Sequence, residues 1–171
     1  MQSDLYTFSA PVFVRQLKNL SDVLLIAEKH ATEHDIAPAA LLSARLYPDM
    51  FPLTGQVRSA CDTAQRSTAR ILGNEPPSSE DADKTFGEMR ERIQKASAYV
   101  GGHPADAFRA AEQRIIDFPL GKESVKLTAL EYLTRFSLPN FYFHVTTAYD
   151  ILRHSGVVLG KRNFLGAISA A

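Results

Sequence analysis

Residues 128–156 read TALEYLTRFSLPNFYFHVTTAYDILRHSG, and this stretch decides the fold. Thr128, followed three residues later by Glu131, is the capping-box pattern that opens a helix. Gly156 supplies the stop. Between them apolar residues recur at spacings of three and four, the pattern of an amphipathic helix. Pro139 falls in the middle and is expected to kink it. Each residue of an α-helix advances about 100° around the axis. Counted from Asn140, residues Leu133, Ser137, His144, Ala148 and Ile151 fall within about 80° of it on one side. Tyr142, Thr146, Tyr149 and Arg153 point the other way. Asn140 and His144, one turn apart, are therefore expected near the centre of the core-facing stripe.

Working outward, Gly121-Lys122-Glu123 is flanked by Ile115–Leu120 and Ser124–Leu127, which reads as a small β-hairpin. It lacks the strand–glycine loop–helix context of a phosphate loop. Residues 103–113 are polar or small, with room for one helical turn. Phe86, Met89, Ile93, Ala96 and Val100 form the core stripe of a third long helix that ends at Gly101-Gly102. Ser79 suits its N-cap, with Glu80, Asp81 and Asp83 near the positive end of its dipole. Pro76-Pro77-Ser78-Ser79 is a linker. A second long helix is expected from about Pro52 to Leu72, stopped by Gly73-Asn74. A short helix from Pro38 to about Arg45 and a turn through Asp49 precede it. Leu5, Phe8, Val12, Leu17, Leu20, Leu24 and Ala27 predict a first helix, kinked at Pro11, running to about His30 or Glu33. The tail Leu159–Gly166 is expected to pack across the bundle end. The pattern predicts an all-α four-helix bundle, with a small β-hairpin insert before the last long helix, as one domain over residues 1–171.

Composition fits this reading. The 171 residues are enough to bury a core, and 45% are hydrophobic. Nineteen Lys and Arg balance nineteen Asp and Glu, so the formal charge is zero. No basic surplus invites nucleic acid. Cys61 is the only cysteine, which rules out an internal disulfide and fits a reducing cytosol. The N-terminus lacks a basic region followed by an apolar run, and no stretch approaches the roughly 20 apolar residues of a membrane span. The expectation is a cytoplasmic protein with neither nucleic acid nor membrane as partner.

The second long helix repeats the polar-among-apolar pattern. Gln56 shares a face with Leu53, Ala60, Ala64, Ser67 and Ile71, where a carboxamide is costly to bury without hydrogen bonds. Gln56, Asn140 and His144 thus face inward from two helices. They can form a small-molecule pocket with His144 as catalytic base, acid or metal ligand. They can equally form a hydrogen-bond network that fixes helix register. Arg45 and Asp49 flank the turn before the second helix and either pair or rim the pocket mouth. His30 and His34 read as cations at a helix C-terminus, as does His154. His103 reads as a solvated loop residue and Cys61 as a packing thiol. The Tyr142–Thr146–Tyr149–Arg153 stripe is either solvated or a homodimer contact.

Asn140-Phe141-Tyr142-Phe143-His144-Val145, followed by Leu152-Arg153-His154-Ser155-Gly156, resembles the last helix of DinB-like (YfiT-like) bundle proteins. That helix usually carries His-x-x-x-His and then Leu-Arg before a glycine. Pro48-Asp49-Met50-Phe51-Pro52-Leu53, Leu138-Pro139-Asn140-Phe141 and His144-Val145-Thr146-Thr147-Ala148-Tyr149 are similar to a bacterial domain-of-unknown-function branch of that superfamily. The resemblance implies an up-down-down-up bundle. It also implies a site that in many relatives holds Zn or Ni on one histidine of the second helix and two of the last, and that in some transfers low-molecular-weight thiols. Here His144 matches the last ligand, Asn140 stands where the first histidine of the pair belongs, and Gln56 matches the second-helix histidine. Carboxamide oxygens are weak zinc ligands, so the triad is degenerate, and Asp49 is a candidate replacement carboxylate. The leading expectation is a small-ligand-binding or non-catalytic dimeric bundle. The alternative is a metal-dependent transferase or hydrolase acting with a small thiol.

Overall fold

The structure, a computed structural model, describes residues 4–78 and 83–168. Its first helical stretch is two helices. Helix α1 (Asp4–Thr7) ends before Ser9, whose hydroxyl donates to the Leu5 carbonyl at 2.5 Å, and α2 (Ala10–Glu33) begins beyond it. Pro11 occupies the first turn of α2, where its missing N–H costs nothing. The expected single kinked helix is thus broken. Its apolar phase runs on because Leu5, Phe13 and Leu17 all face the same core.

Helix α3 (Pro38–Leu42) and the turn after it lead into α4 (Leu53–Leu72). Gly73 ends α4 in the left-handed region at φ 76°, its N–H returning to the Ala69 and Arg70 carbonyls. A connection over residues 73–85 carries the chain to α5 (Phe86–Gly101). Ser79, Glu80 and Asp81 lie outside the described residues, but the helix they were expected to cap starts later. Thr85 is its N-cap, accepting from the Glu88 N–H at 3.1 Å, while the Glu88 carboxylate accepts from Lys84 N–H. Asp83 does not sit at the dipole. It grips Arg92 with two hydrogen bonds, of 2.5 and 3.1 Å, and both side chains are largely buried.

Helix α6 (Ala105–Ala110) supplies the helical turn, and its Phe108 meets Tyr6 of α1 edge-on. Strands β1 (Ile115–Leu120) and β2 (Glu123–Thr128) pair antiparallel, with Phe118 opposite Val125. Ile116 and Phe118 bury one side of β1, the period-two pattern of a strand with one face covered. Thr128 and Glu131 form the expected capping box ahead of α7 (Ala129–Tyr132). A π turn (Leu133–Ser137) follows, and α8 (Leu138–His154) completes the last long helix. Pro139 has no N–H and would clash with the carbonyl four residues back. The chain accommodates it one turn earlier, where Leu138 N–H reaches five residues back to the Leu133 carbonyl.

Helices α2, α4, α5 and α8 form the up-down-down-up bundle. α2 and α5 lie antiparallel, with Glu28 near Arg90 at one end and Gly101 beside Val14 at the other. An edge-to-face pair of Phe13 and Phe141, centroids 4.9 Å apart, ties α2 to α8 and adds about 1 kcal/mol beyond its buried area. The tail forms α9 (Lys161–Leu165), which packs along α2 rather than across the bundle end. Buried Gln16 and Asn19 of α2 decide this, because both amides donate to the Phe164 carbonyl, at 3.0 and 3.1 Å. Phe164 also meets Tyr149, so the stripe opposite the core is partly covered rather than free.

Candidate functional site

A groove of about 200 Å³ runs between α4 and the α7–α8 helix. On α4 its wall is a single stripe at helical spacing: Ser59, Asp62, Thr63, Arg66, Ser67 and Arg70. Across from it stand Tyr132, Phe136, Asn140 and His144, each four residues from the next. In an uninterrupted α-helix those three steps of four would drift by roughly 120°. The wider π turn, lying between Tyr132 and Leu138, takes up part of that drift and keeps both ends of the row on one groove.

The π turn accounts for only part of the difference from the expected placing of Asn140 and His144, because the expected stripe also left out Phe141 and Val145. Counting 100° per residue through Leu133 and Ser137 aims the pair at the centre of the core. The buried face of α8 is instead Phe141, Val145, Ala148, Ile151 and Leu152. Asn140 and His144 are half-buried on its α4 edge, roughly 90° and 50° from that centre.

Two crossbridges span the groove, one between two members of the expected trio and one from Asn140 to Thr63. His144 Nδ1 lies 2.8 Å from Gln56 Oε1, and Asn140 Nδ2 donates to Thr63 Oγ1 at 2.8 Å. Gln56 is 1% exposed, and its Nε2 donates to the Phe51 carbonyl at 3.1 Å. That second bond fixes which end of the carboxamide faces the imidazole. Oxygen faces His144, so His144 Nδ1 carries the proton and donates it. Nε2 is left with its lone pair and no hydrogen-bond partner among the described residues. Burial holds the pKa of His144 below its usual value. The result is a neutral imidazole of fixed tautomer, able to accept a hydrogen bond or take a proton.

At the other end Arg70 Nη1 donates to Tyr132 Oη at 3.0 Å, and the guanidinium lies over the Phe118 and Tyr132 rings, 5.7 and 5.9 Å from their centroids. Phe118 packs against Tyr132 and Phe136, so the hairpin backs the residues that line this end of the groove. Ser67 is 1% exposed, and its hydroxyl has no hydrogen-bond partner among the described residues. Asp62 and Arg66 form a loose pair at 3.9 Å.

Arg45 and Asp49 do not join the groove. Both are exposed in the turn before α4, where Arg45 reaches the Met50 carbonyl at 3.4 Å. The carboxylate that lines the groove is Asp62. The polar stripe along α4 was the available signal for it and for Arg66 and Arg70. His34 Nδ1 contacts the His30 carbonyl at the exposed end of α2. His103 is half-buried rather than freely solvated: its ring meets Tyr99 edge-on, and its Nε2 is buried with no hydrogen-bond partner among the described residues. Cys61 is fully buried, and desolvation pushes its thiol pKa far up, away from nucleophilic use.

The superfamily's metal does not fit these residues. The Gln56 oxygen is taken by His144 Nδ1–H, and Asn140 presents its amide nitrogen to Thr63. Among the described residues no three His, Cys, Asp or Glu side chains group to hold a metal ion. Nor is any of their helices long and apolar enough to cross a membrane.

An up-down-down-up bundle with a polar groove between its second and last long helices is of the DinB-like class. The family model of DUF1993, a domain of unknown function, matches residues 5–165, and the chain belongs to that family. It is similar to the crystal structure of a DinB family member protein from Shewanella denitrificans, with a TM-score of 0.90 and 38% identity over 98% of this chain and 94% of that one. No curated protein matches it.

Proposed function

We propose that this DUF1993 protein is a small-ligand-binding bundle that works without the superfamily's metal. The ligand sits in the α4–α8 groove and donates a hydrogen bond to His144 Nε2. One observation carries the reading: the Gln56 carboxamide, oriented by the Phe51 carbonyl, holds His144 as the Nδ1–H tautomer. In the metal-binding arrangement of the superfamily the Gln56 position supplies a ligand. Here it supplies a positioning group for the one imidazole that remains. If chemistry occurs, His144 Nε2 is the base that starts it, since an unprotonated, partly desolvated imidazole is suited to that role. The metal-dependent thiol-transfer alternative needs donors that Gln56 and Asn140 no longer offer.

The test is a fragment titration of the isotope-labelled chain, followed by NMR. Fragments bearing a hydroxyl or amine are expected to move the resonances of His144, Asn140 and Thr63 together, and to lose that effect in His144→Ala. Binding of these hydrogen-bond-donating fragments confined to other surfaces, or indifferent to His144→Ala, would overturn the reading.

A further inference from the structure

Resting on the groove as a ligand site, we infer that its occupant is a small monocarboxylic acid whose carboxylate is held by Arg70, Ser67 and Tyr132. Arg70 is half-buried, and no carboxylate pairs with it among the described residues. One of its five N–H donors is engaged by Tyr132 Oη. The two rings beneath it, Phe118 and Tyr132, keep the planar head in place rather than neutralise it. Tyr132 accepts from Arg70 and so keeps its own proton to give. Ser67, one turn before Arg70 on the groove-lining stripe, has a buried hydroxyl with no hydrogen-bond partner among the described residues. A buried hydroxyl without a partner is unfavourable unless something arrives to satisfy it. Three groups with protons to donate and no carboxylate among them, at one end of a groove, suit a carboxylate, and a guanidinium fork matches that group in shape.

Charge separates a carboxylate from a phosphate. The groove holds Arg66 and Arg70 against Asp62, a surplus of one positive charge. Asp62 repels a second negative charge, so a monoanion fits and a phosphate dianion does not. Size narrows the class further. About 200 Å³ is the liquid volume of roughly seven waters, so the acid is short.

The experiment uses the full chain labelled for detection of arginine Nε–H and backbone amides, titrated at matched ionic strength with propionate and, separately, with inorganic phosphate at neutral pH. Propionate is expected to move the Arg70 Nε–H and Ser67 signals to saturation, with phosphate weaker. Arg70→Met is expected to weaken propionate binding about tenfold or more, the loss of one charge-assisted contact. Ser67→Ala, which removes only an unpartnered hydroxyl, should weaken it as well and guards against a folding defect in Arg70→Met. Absence of any shift, tighter binding of phosphate, or propionate binding unchanged in both variants overturns the inference. His144→Ala should leave the propionate shift at Arg70 in place. A failed propionate titration beside an intact Nδ1–H signal on His144 therefore refutes this inference alone, whereas loss of that signal counts against the metal-free reading.

Discussion

Replacing Gln56 by leucine separates the structural role of the groove's polar pair from its chemical one. The substitution keeps the side chain's approximate volume and deletes two hydrogen bonds, from His144 Nδ1 at 2.8 Å and to the Phe51 carbonyl at 3.1 Å. A buried donor left unpaired costs about 1–3 kcal/mol, but His144 is half-buried and recovers part of this from water. Leucine also gains from burial beside Leu53 and Ala60, which offsets more. The net loss should be about 1–2 kcal/mol, a fall in Tm of about 3–6 °C for a chain of this size. The second readout is the imidazole itself. Wild-type His144 should show its proton on Nδ1 in nitrogen-detected NMR, and Gln56→Leu should give a mixture of tautomers. A wild-type imidazole protonated on Nε2, or an unchanged tautomer in the variant, would refute the reasoning even if Tm fell as expected.

The pH dependence of stability follows from the same residue. Burial lowers the pKa of His144 below its ordinary 6.5, so the unfolded chain binds the extra proton first. Stability should be fully present above about pH 6.5 and decline as pH falls toward the folded-state value, and His144→Ala should flatten that decline in denaturant melts. Zinc added to the wild-type chain and then dialysed should be retained substoichiometrically by elemental analysis. The double variant Gln56→His/Asn140→His should retain close to one equivalent, since it restores three imidazoles at the superfamily's ligand positions. Phe118→Ala removes a fully packed ring from between the hairpin and Tyr132, and should cost about 3–5 kcal/mol by chemical denaturation. Thr128→Ala removes the capping box and should cost about 1 kcal/mol.

The four long helices, the hairpin and the Thr128 capping box were legible because each rests on a local pattern: apolar spacing, a terminating glycine, a strand–turn–strand run. Gln56, Asn140 and His144 stand out in the sequence as carboxamides and an imidazole among apolar neighbours, but only Gln56 and His144 meet, while Asn140 bonds to Thr63. Other features were settled by tertiary contacts. Ser79 looks like a cap as good as Thr85, and which one begins the helix depends on packing and on Asp83 finding Arg92. The tail's berth depended on Gln16 and Asn19 needing an acceptor, which sequence spacing does not reveal. Asp49 seemed the natural spare carboxylate because it is near Gln56 in the chain. Asp62 lines the groove because it lies on the stripe that α4 turns toward α8. The pairing of Gln56 with His144, rather than their independent roles, became visible only once the Phe51 carbonyl fixed the amide.

The π turn over Leu133–Ser137 acts as a phase offset between two halves of one helix. Upstream of it Tyr132 is locked to Arg70 and the hairpin; downstream His144 is locked to Gln56. Each lock depends on its own half alone, but their shared alignment depends on the extra residue held in the wide turn. Deleting a single residue there would turn one half by roughly 100° against the other. Either the hairpin end or the imidazole end would then leave the groove, with neither end's own chemistry altered. Length in this segment is therefore as consequential as residue type, and a one-residue deletion should be more damaging than any substitution within it.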